Sequence, residues 1–225
     1  MFKTIKIYFM IIAGAKGFAK EVCEVLLQLN YTGPVAFFDN VSSDLPEYLF
    51  EKYPVLVNTK QVSAFINEHG NAFVLGVGNP FIRQKMSALL IQAGGKMEKI
   101  ISPFARIGAL GNTIGDGCSI MTGAIITSDV EADEGILINL NSTIGHDVRI
   151  GRYTELSPGV NISGQTTIGA FTTLGSGVVV IPKVNIGSNV IIAAGSVVTK
   201  NVPDNVMVAG VPAVIKKVLT PAGNL

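Results

Sequence analysis

Residues 138–168 read INLNSTIGHDVRIGRYTELSPGVNISGQTTI, and the spacing of the aliphatic residues in this stretch decides the fold. Ile138, Ile144, Ile150, Leu156, Ile162 and Ile168 stand six positions apart. The same step runs back through Ala132, Ile126, Ile120 and Ile114, and on through Leu174, Val180, Ile186, Ile192 and Val198. Of these fifteen positions, fourteen are Ile, Leu or Val. Such residues fill about a quarter of an average chain, so chance does not supply the run. The register never slips, which leaves no room for an inserted loop. Two positions before most of these aliphatics stands a small or β-branched residue, as at Ser142, Val148, Thr154 and Thr166. Glycine often follows them, as at Gly145, Gly151, Gly169 and Gly175.

The physical reading is a β-helix with three short flat faces, one hexad to a face and about 18 residues to a coil. The large aliphatic and the small residue two before it point into a narrow bore. The glycine is expected to take the corner. Successive coils should lie about 4.8 Å apart, joined by backbone hydrogen bonds. Periodicity does not give the hand of the coil, and the usual preference for right-handed crossovers does not decide it.

Before this repeat the chain alternates strand-like and helix-like pieces. Strands are expected at Ile5–Ala13, Val35–Phe38, Pro54–Val57, Ala72–Val77 and Met97–Ile101, and helices at Phe18–Leu29, Thr59–His69 and Pro80–Ala93. The first helix shows helical spacing of Phe18, Val22, Val25, Leu26 and Leu29. Asn79-Pro80 supplies an N-cap with proline at the first helical position. Alternation of this kind implies a small parallel sheet. We therefore expect an α/β, Rossmann-like domain over residues 1–102 and an all-β helix with a C-terminal tail over residues 103–225.

Composition narrows the function. The 225 residues carry 17 Lys+Arg against 16 Asp+Glu, with 48% hydrophobic and 15% charged side chains. A net charge of +1 gives no field to hold a polyanion, so nucleic acid is disfavoured and small substrates fit better. So apolar a surface points to burial between subunits. Cys23 and Cys118 form no metal or disulfide pattern and read as small apolar fillers in a reducing, cytoplasmic setting. Lys3 and Lys6 precede an apolar run, but that run feeds Gly14-Ala15-Lys16-Gly17 and reads as a buried strand and glycine turn rather than a signal peptide. No stretch is long and apolar enough to span a membrane.

A step-six aliphatic repeat ending in Ala209-Gly210-Val211-Pro212-Ala213 resembles the hexapeptide-repeat acyltransferases. The resemblance implies a left-handed parallel β-helix, a homotrimer with sites between subunits, and acetyl-CoA as co-substrate with no metal. Gly14-Ala15-Lys16-Gly17-Phe18, Phe37-Phe38-Asp39-Asn40 and Gly76-Val77-Gly78-Asn79 with Arg83 and Lys85 narrow it. They are similar to the sugar N-acetyltransferases of the bacillosamine, perosamine and viosamine pathways and to the sialic acid O-acetyltransferases. In those relatives the α/β domain holds a nucleotide-activated sugar, which implicates Gly14, Lys16, Gly17, Asp39, Asn40 and Asn79. The glycine turn lets a phosphate approach backbone N–H groups at a helix start. The dinucleotide fingerprint GxGxxG is absent, which disfavours a nicotinamide dehydrogenase. Asp39-Asn40 reads equally as an ordinary turn. Lys16 and Phe18 depart from the small residue and histidine commoner in the family.

Acyl transfer from a thioester to an amine needs a base for the amine proton and a donor for the tetrahedral oxygen. Of two histidines, His69 closes a helix before Gly70 and reads as a surface residue. His146 stands two positions after an inward aliphatic, so it projects from a corner. Eighteen residues on stands Gly164, one coil along the same corner, where a bare N–H can meet an oxyanion. The family's catalytic histidine and glycine fall at these points. Asp147 is the candidate partner for the imidazole; it reads also as a solvated corner residue. The resemblance places Asn139 in the acceptor site and Gly175, Ser176 and Ala193 along the pantetheine arm, with Gly164 also at the cofactor. Lys183, and with it Lys200, Lys216 and Lys217, are candidates for the phosphates of coenzyme A. A γ-carbonic-anhydrase-type zinc site needs three histidines and is excluded. A sugar-nucleotide pyrophosphorylase carries a larger nucleotidyltransferase domain and a longer glycine loop with an arginine. The expected reaction is acetyl transfer to a nucleotide-linked 4-amino-deoxy sugar of a bacterial surface glycan. O-acetylation of a sialic acid or other sugar, or a non-catalytic scaffold, are the alternatives.

Overall fold

A computed structural model describes residues 9–221; the 5–8 part of the expected first strand, and most of the leader-like segment, lie outside the described residues. The α/β portion begins with strand β1 (Met10–Ala13), helix α1 (Gly17–Gln28) and strand β2 (Val35–Phe38). It continues through β3 (Tyr48–Leu49), β4 (Tyr53–Leu56), α2 (Thr59–His69), β5 (Ala72–Leu75), α3 (Pro80–Gln92) and β6 (Lys96–Met97). The sheet order is β3-β4-β2-β1-β5-β6, parallel except for β3. The four residues of β1 and of β2 are all buried, because helices cover both sides of a parallel sheet. The order turns back at β1: β2 and β4 lie to one side of it and β5 and β6 to the other. Ligands of open α/β sheets bind at such a switch point, beyond the carboxyl ends of the strands.

The expected strand Met97–Ile101 is two strands. Lys96–Met97 completes the α/β sheet, whereas Ile100–Ile101 pairs with Ser119–Ile120 and opens the prism. From there the chain winds through three parallel sheets whose strands are two residues long. Face 1 carries Ser119–Ile120, Leu137–Ile138, Glu155–Leu156 and Thr173–Leu174; face 2 carries Thr143–Ile144 and Asn161–Ile162; face 3 carries Arg149–Ile150 and Thr167–Ile168. The register advances by one coil of the expected length, Ile144 against Ile162 and Ile150 against Ile168. This is a left-handed β-helix. The step-six aliphatics and the small residues two before them form one continuous core from Cys118 to Val208. Inward hydroxyls are paired inside the bore: Thr154 and Thr172 donate to the carbonyls of Gly169 and Gly187, each at 2.9 Å.

The corners are made differently from the expectation. The glycine after each aliphatic does not turn the chain. Every sixth residue from Gly111 to Gly195 has a positive φ, among them Asn141, Asp147 and Lys183, and these stand three positions after the aliphatic. They occupy the turn position where φ is positive, which favours Gly, Asn and Asp. Gly145 has another reason to be glycine: a Cβ there would come 2.7 Å from the backbone nitrogen of Gly164 on the next coil. Close stacking of coils, not backbone curvature, selects that residue.

The α/β domain sits on face 1 and on the edge between faces 3 and 1. Ile100, Met121 and Leu137 of the prism share a core with β1, β2 and α1. Arg83 of α3 is fully buried at this junction. Its Nε donates to the carbonyl of Gly135 at 2.8 Å, Nη1 to that of Val77 at 2.8 Å, and Nη2 to that of Gly117 at 3.2 Å. Burial pulls its pKa down to about 10. Beside it Phe81 stacks on Phe171 at 5.1 Å, and Ser87 and Tyr153 share a hydrogen bond of 3.0 Å.

Candidate active site

His146 and Asp147 are the two turn residues of the edge between faces 2 and 3. Both are exposed, and Nδ1 of His146 lies 2.7 Å from Oδ2 of Asp147. That hydrogen bond engages Nδ1 and leaves Nε2 as the free ring nitrogen. Asp147 has φ +57°, so the corner itself favours an Asp or Asn here, and the carboxylate it brings also orients the ring. Gly164 lies on the same edge, one coil on, where Gln165 N–H donates to the His146 carbonyl at 2.9 Å. A Cβ on Gly164 would fall 2.6 Å from His146 Nε2 and 2.7 Å from Cε1. The imidazole therefore lies across the bare Cα of this glycine. Among the described residues the Gly164 N–H donates to no acceptor of the chain.

The residues expected to bind the cofactor divide between two edges. Gly164 and Lys183 share the His146 edge, and Lys183 N–H donates to the Gly164 carbonyl at 3.1 Å. Gly175, Ser176 and Ala193 lie on the edge between faces 1 and 2, with Asn139 two coils back from Gly175 on that same edge. One arm along one edge of one chain does not touch all five. Asn139 is buried and its Oδ1 accepts the Leu140 N–H at 2.7 Å.

In the α/β domain, the residues expected to bind the nucleotide gather at the carboxyl ends of β1, β2 and β5. Gly14 has φ +112°, and a Cβ there would lie 2.9 Å from the Gly76 carbonyl oxygen. It thus brings the β1 and β5 exits together at the switch point. At Gly17, the start of α1, a Cβ would meet nothing within 4 Å. Lys16 reaches across to Asp44 beyond β2, at 2.6 Å. Asp39-Asn40 forms a turn: Oδ1 of Asp39 accepts the N–H groups of Val41 and Ser42, each at 3.0 Å, and Oδ2 accepts the Ser42 hydroxyl. Asn40 is exposed beside it. Asn79 caps α3 by accepting from Phe81 and Ile82 N–H, each at 3.1 Å. His69 closes α2 against the ring of Phe65, away from the strand exits. Cys23 and Cys118 are buried free thiols, and burial pushes Cys118 up to about 11.

Two residues of the junction escaped the sequence reading of the site. Arg83 falls with Met86, Ser87 and Leu90 on the buried face of α3, a helical spacing that marks a charge in an apolar stripe. Glu155 projects from face 1 against the β5 exit, where Gly78 adjoins its carboxylate. Its coil neighbours Leu137 and Thr173 carry no charge that would have drawn attention to it. Burial pushes the Glu155 carboxyl up, against the smaller opposing effects of the Ser157 hydroxyl and the Arg83 charge.

Prism, edge and docked α/β domain together define a class: the chain is an acyltransferase that carries transferase hexapeptide repeats. Residues 10–90 match the PglD N-terminal domain, and residues 165–200 match the bacterial transferase hexapeptide of six repeats. Among solved structures, the chain is similar to perosamine N-acetyltransferase from Caulobacter crescentus, at 28% identity and TM-score 0.85, over 94% of this chain and 98% of that one. That structure is of a histidine-to-asparagine mutant in complex with CoA and GDP-perosamine. The acetyltransferase domain of PglB from Neisseria gonorrhoeae, in complex with acetyl coenzyme A, is similar at 28% identity and TM-score 0.84, over 93% and 99% of the two chains. WeeI from Acinetobacter baumannii is similar at 29% identity and TM-score 0.82, over 92% and 99%. No curated protein matches the chain. Among the described residues no helix is long and apolar enough to cross a membrane, and no cluster of ligands could hold a metal.

Proposed function

We propose that this protein transfers the acetyl group of acetyl-CoA to the amine of a nucleotide-linked 4-amino-deoxy sugar. The observation that carries the reading is the His146–Asp147 pair, 2.7 Å apart, lying over the bare Gly164 of the next coil. The similarity to an N-acetyltransferase solved with CoA and GDP-perosamine supports amine over hydroxyl as acceptor. In the reaction the sugar nitrogen attacks the thioester carbonyl and forms the C–N bond. His146 Nε2 takes the proton released by that nitrogen, while Asp147 stabilises the imidazolium. The Gly164 N–H, which has no acceptor among the described residues, donates to the tetrahedral oxygen. The C–S bond then breaks, and the thiolate recovers the proton from His146. Collapse of the intermediate restores the neutral imidazole for the next turnover.

The division of the cofactor-side residues between two edges supports a homotrimer with sites between subunits. The His146 edge joins faces 2 and 3, so it is the edge that does not border face 1, where the α/β domain sits. An acceptor held by one chain thus meets the imidazole of another. The pantetheine arm runs between the Gly175–Ala193 edge of one prism and the Gly164–Lys183 edge of its neighbour. Exposed Ile125, Ile181 and Ile191 give the prism apolar surface to bury in such an assembly. The test is a thiol-release assay of the wild-type protein with acetyl-CoA and GDP-, UDP- and dTDP-linked 4-amino sugars, with a sialic acid as control. Release with an amino sugar is the expected result. Release with sialic acid alone assigns O-acetylation instead, and release with none refutes an acyltransferase of sugars.

A further inference from the structure

The β5 exit and the prism meet at a carboxylate that the fold does not use. Glu155 leaves face 1 beneath the loop Gly76–Asn79, at the switch point of the sheet. Among the described residues its carboxylate accepts one hydrogen bond, a long one of 3.4 Å from the Ser157 hydroxyl, although a carboxylate accommodates about four. It forms no ion pair there. Arg83, the cation whose charge it feels, has its N–H groups turned to the carbonyls of Gly135, Val77, Gly117 and Ile136 and to Ser119. Burial raises its pKa, so a charge at this place opposes folding rather than serving it. Gly78 is the second observation. Its φ is not positive, so the backbone would accept a side chain, yet a Cβ would come 3.2 Å from Glu155 Oε1. The missing side chain keeps the flank of the carboxylate open toward the crevice.

Topology says which part of an acceptor would arrive there. In the order β2-β1-β5, the glycine turn after β1 takes the phosphates. One end of the ligand then lies over β2 and the other over β5. Glu155 stands at the β5 end, where a carboxylate would repel phosphate but accept from hydroxyl and ammonium groups. Two residues on, Ser157 stands on the edge between faces 1 and 2, in the column of Asn139, Gly175 and Ala193. The carboxylate is thus next to the edge assigned to the acyl donor.

We propose that Glu155 reads the acceptor: its carboxylate accepts hydrogen bonds from the hydroxyl or ammonium donors of the sugar ring, so that the acceptor site is built from both the α/β domain and the prism. This rests on the function proposed above. The test compares wild-type protein with Glu155→Gln and Gly78→Ala, using the nucleotide-linked 4-amino sugar that the wild type turns over best and the matching nucleoside diphosphate as inhibitor. Loss of a charged hydrogen bond corresponds to about 10- to 100-fold in affinity. Both variants should raise KM for the nucleotide sugar by a factor in this range, with KM for acetyl-CoA and the inhibition constant of the nucleoside diphosphate within about twofold of wild type. An unchanged KM for the nucleotide sugar in Glu155→Gln overturns the proposal, as does an equal rise in the inhibition constant of the free nucleotide. Wild-type protein that acetylates none of the amino sugars overturns the functional reading, and this proposal with it.

Discussion

Replacing Gly164 with alanine isolates the geometry of the proposed base from the integrity of the fold. The φ of Gly164 is not positive, so the backbone accepts alanine, and the position lies on a partly exposed edge. The new methyl would sit 2.6 Å from His146 Nε2, 2.7 Å from Cε1 and 3.0 Å from Cδ2. Carbon and nitrogen in contact need about 3.5 Å, so the ring must retreat by about 1 Å. It can do so by rotating about χ1 or χ2, and either movement breaks or lengthens the 2.7 Å bond from Nδ1 to Asp147. A displacement of about 1 Å in a catalytic group costs on the order of 10²-fold in rate. In a thiol-release assay at saturating substrates, Gly164→Ala should therefore lose about 10²-fold in kcat. Its Tm should stay within about 2 °C of wild type, since nothing in the bore changes. Wild-type kcat in a folded Gly164→Ala protein would show that the place of the imidazole over this glycine is irrelevant to turnover.

Other consequences concern the junction of the two domains. Arg83→Met removes the donors of several buried carbonyls, at a cost of at least about 3 kcal/mol. Calorimetry should register a fall in Tm of about 6–12 °C for a chain of this size, and an unchanged Tm would mean that water or neighbouring groups replace the guanidinium. Glu155 acts in the opposite sense. Its carboxyl titrates higher in the folded protein, because burial outweighs the lowering effects of the Ser157 hydroxyl and the Arg83 charge. The native state therefore holds the proton more tightly than the unfolded chain, and the ionised form costs stability above the folded pKa. Glu155→Gln should raise Tm at pH 7, and the gain should shrink as pH falls through the folded pKa and vanish below the ordinary glutamate range. A gain that persists unchanged at low pH would place the effect elsewhere.

The prism was legible because its rule is one-dimensional: Ile144, Ile150 and Leu156 each fill the bore without reference to any distant segment. The corner chemistry was present in the same letters but belonged to another position. Gly145 stands out more than Asp147, yet it is Asp147, with Asn141 and Gly159, that carries the positive φ. A glycine required by the backbone of the next coil cannot be told, from its own neighbours, from one required by its own dihedral. His146 and Gly164 are legible from the place of the histidine after an inward aliphatic, from the one coil length that links them, and from the family resemblance. The division of Gly175 and Ala193 from Gly164 and Lys183 shows only once each hexad is placed on its edge of the prism. Glu155 depends on how the α/β domain seats on face 1, a long-range packing that no local pattern encodes, whereas the helical spacing of Arg83 with Met86, Ser87 and Leu90 marks its burial but not its partners on the prism. Asp39 and Asn79 each carried two readings. In both, the local backbone claimed the side-chain oxygen, as short polar side chains next to free N–H groups do.

The central claim is that one imidazole on a prism edge removes the amine proton. The most direct measurement is kcat of His146→Ala with acetyl-CoA and the nucleotide-linked amino sugar both saturating, alongside calorimetric titration of coenzyme A. The account predicts a loss of about 10²–10⁴-fold in kcat with coenzyme A affinity retained. Turnover within a few-fold of wild type would contradict it, for the chain has no second histidine on that edge to take the proton.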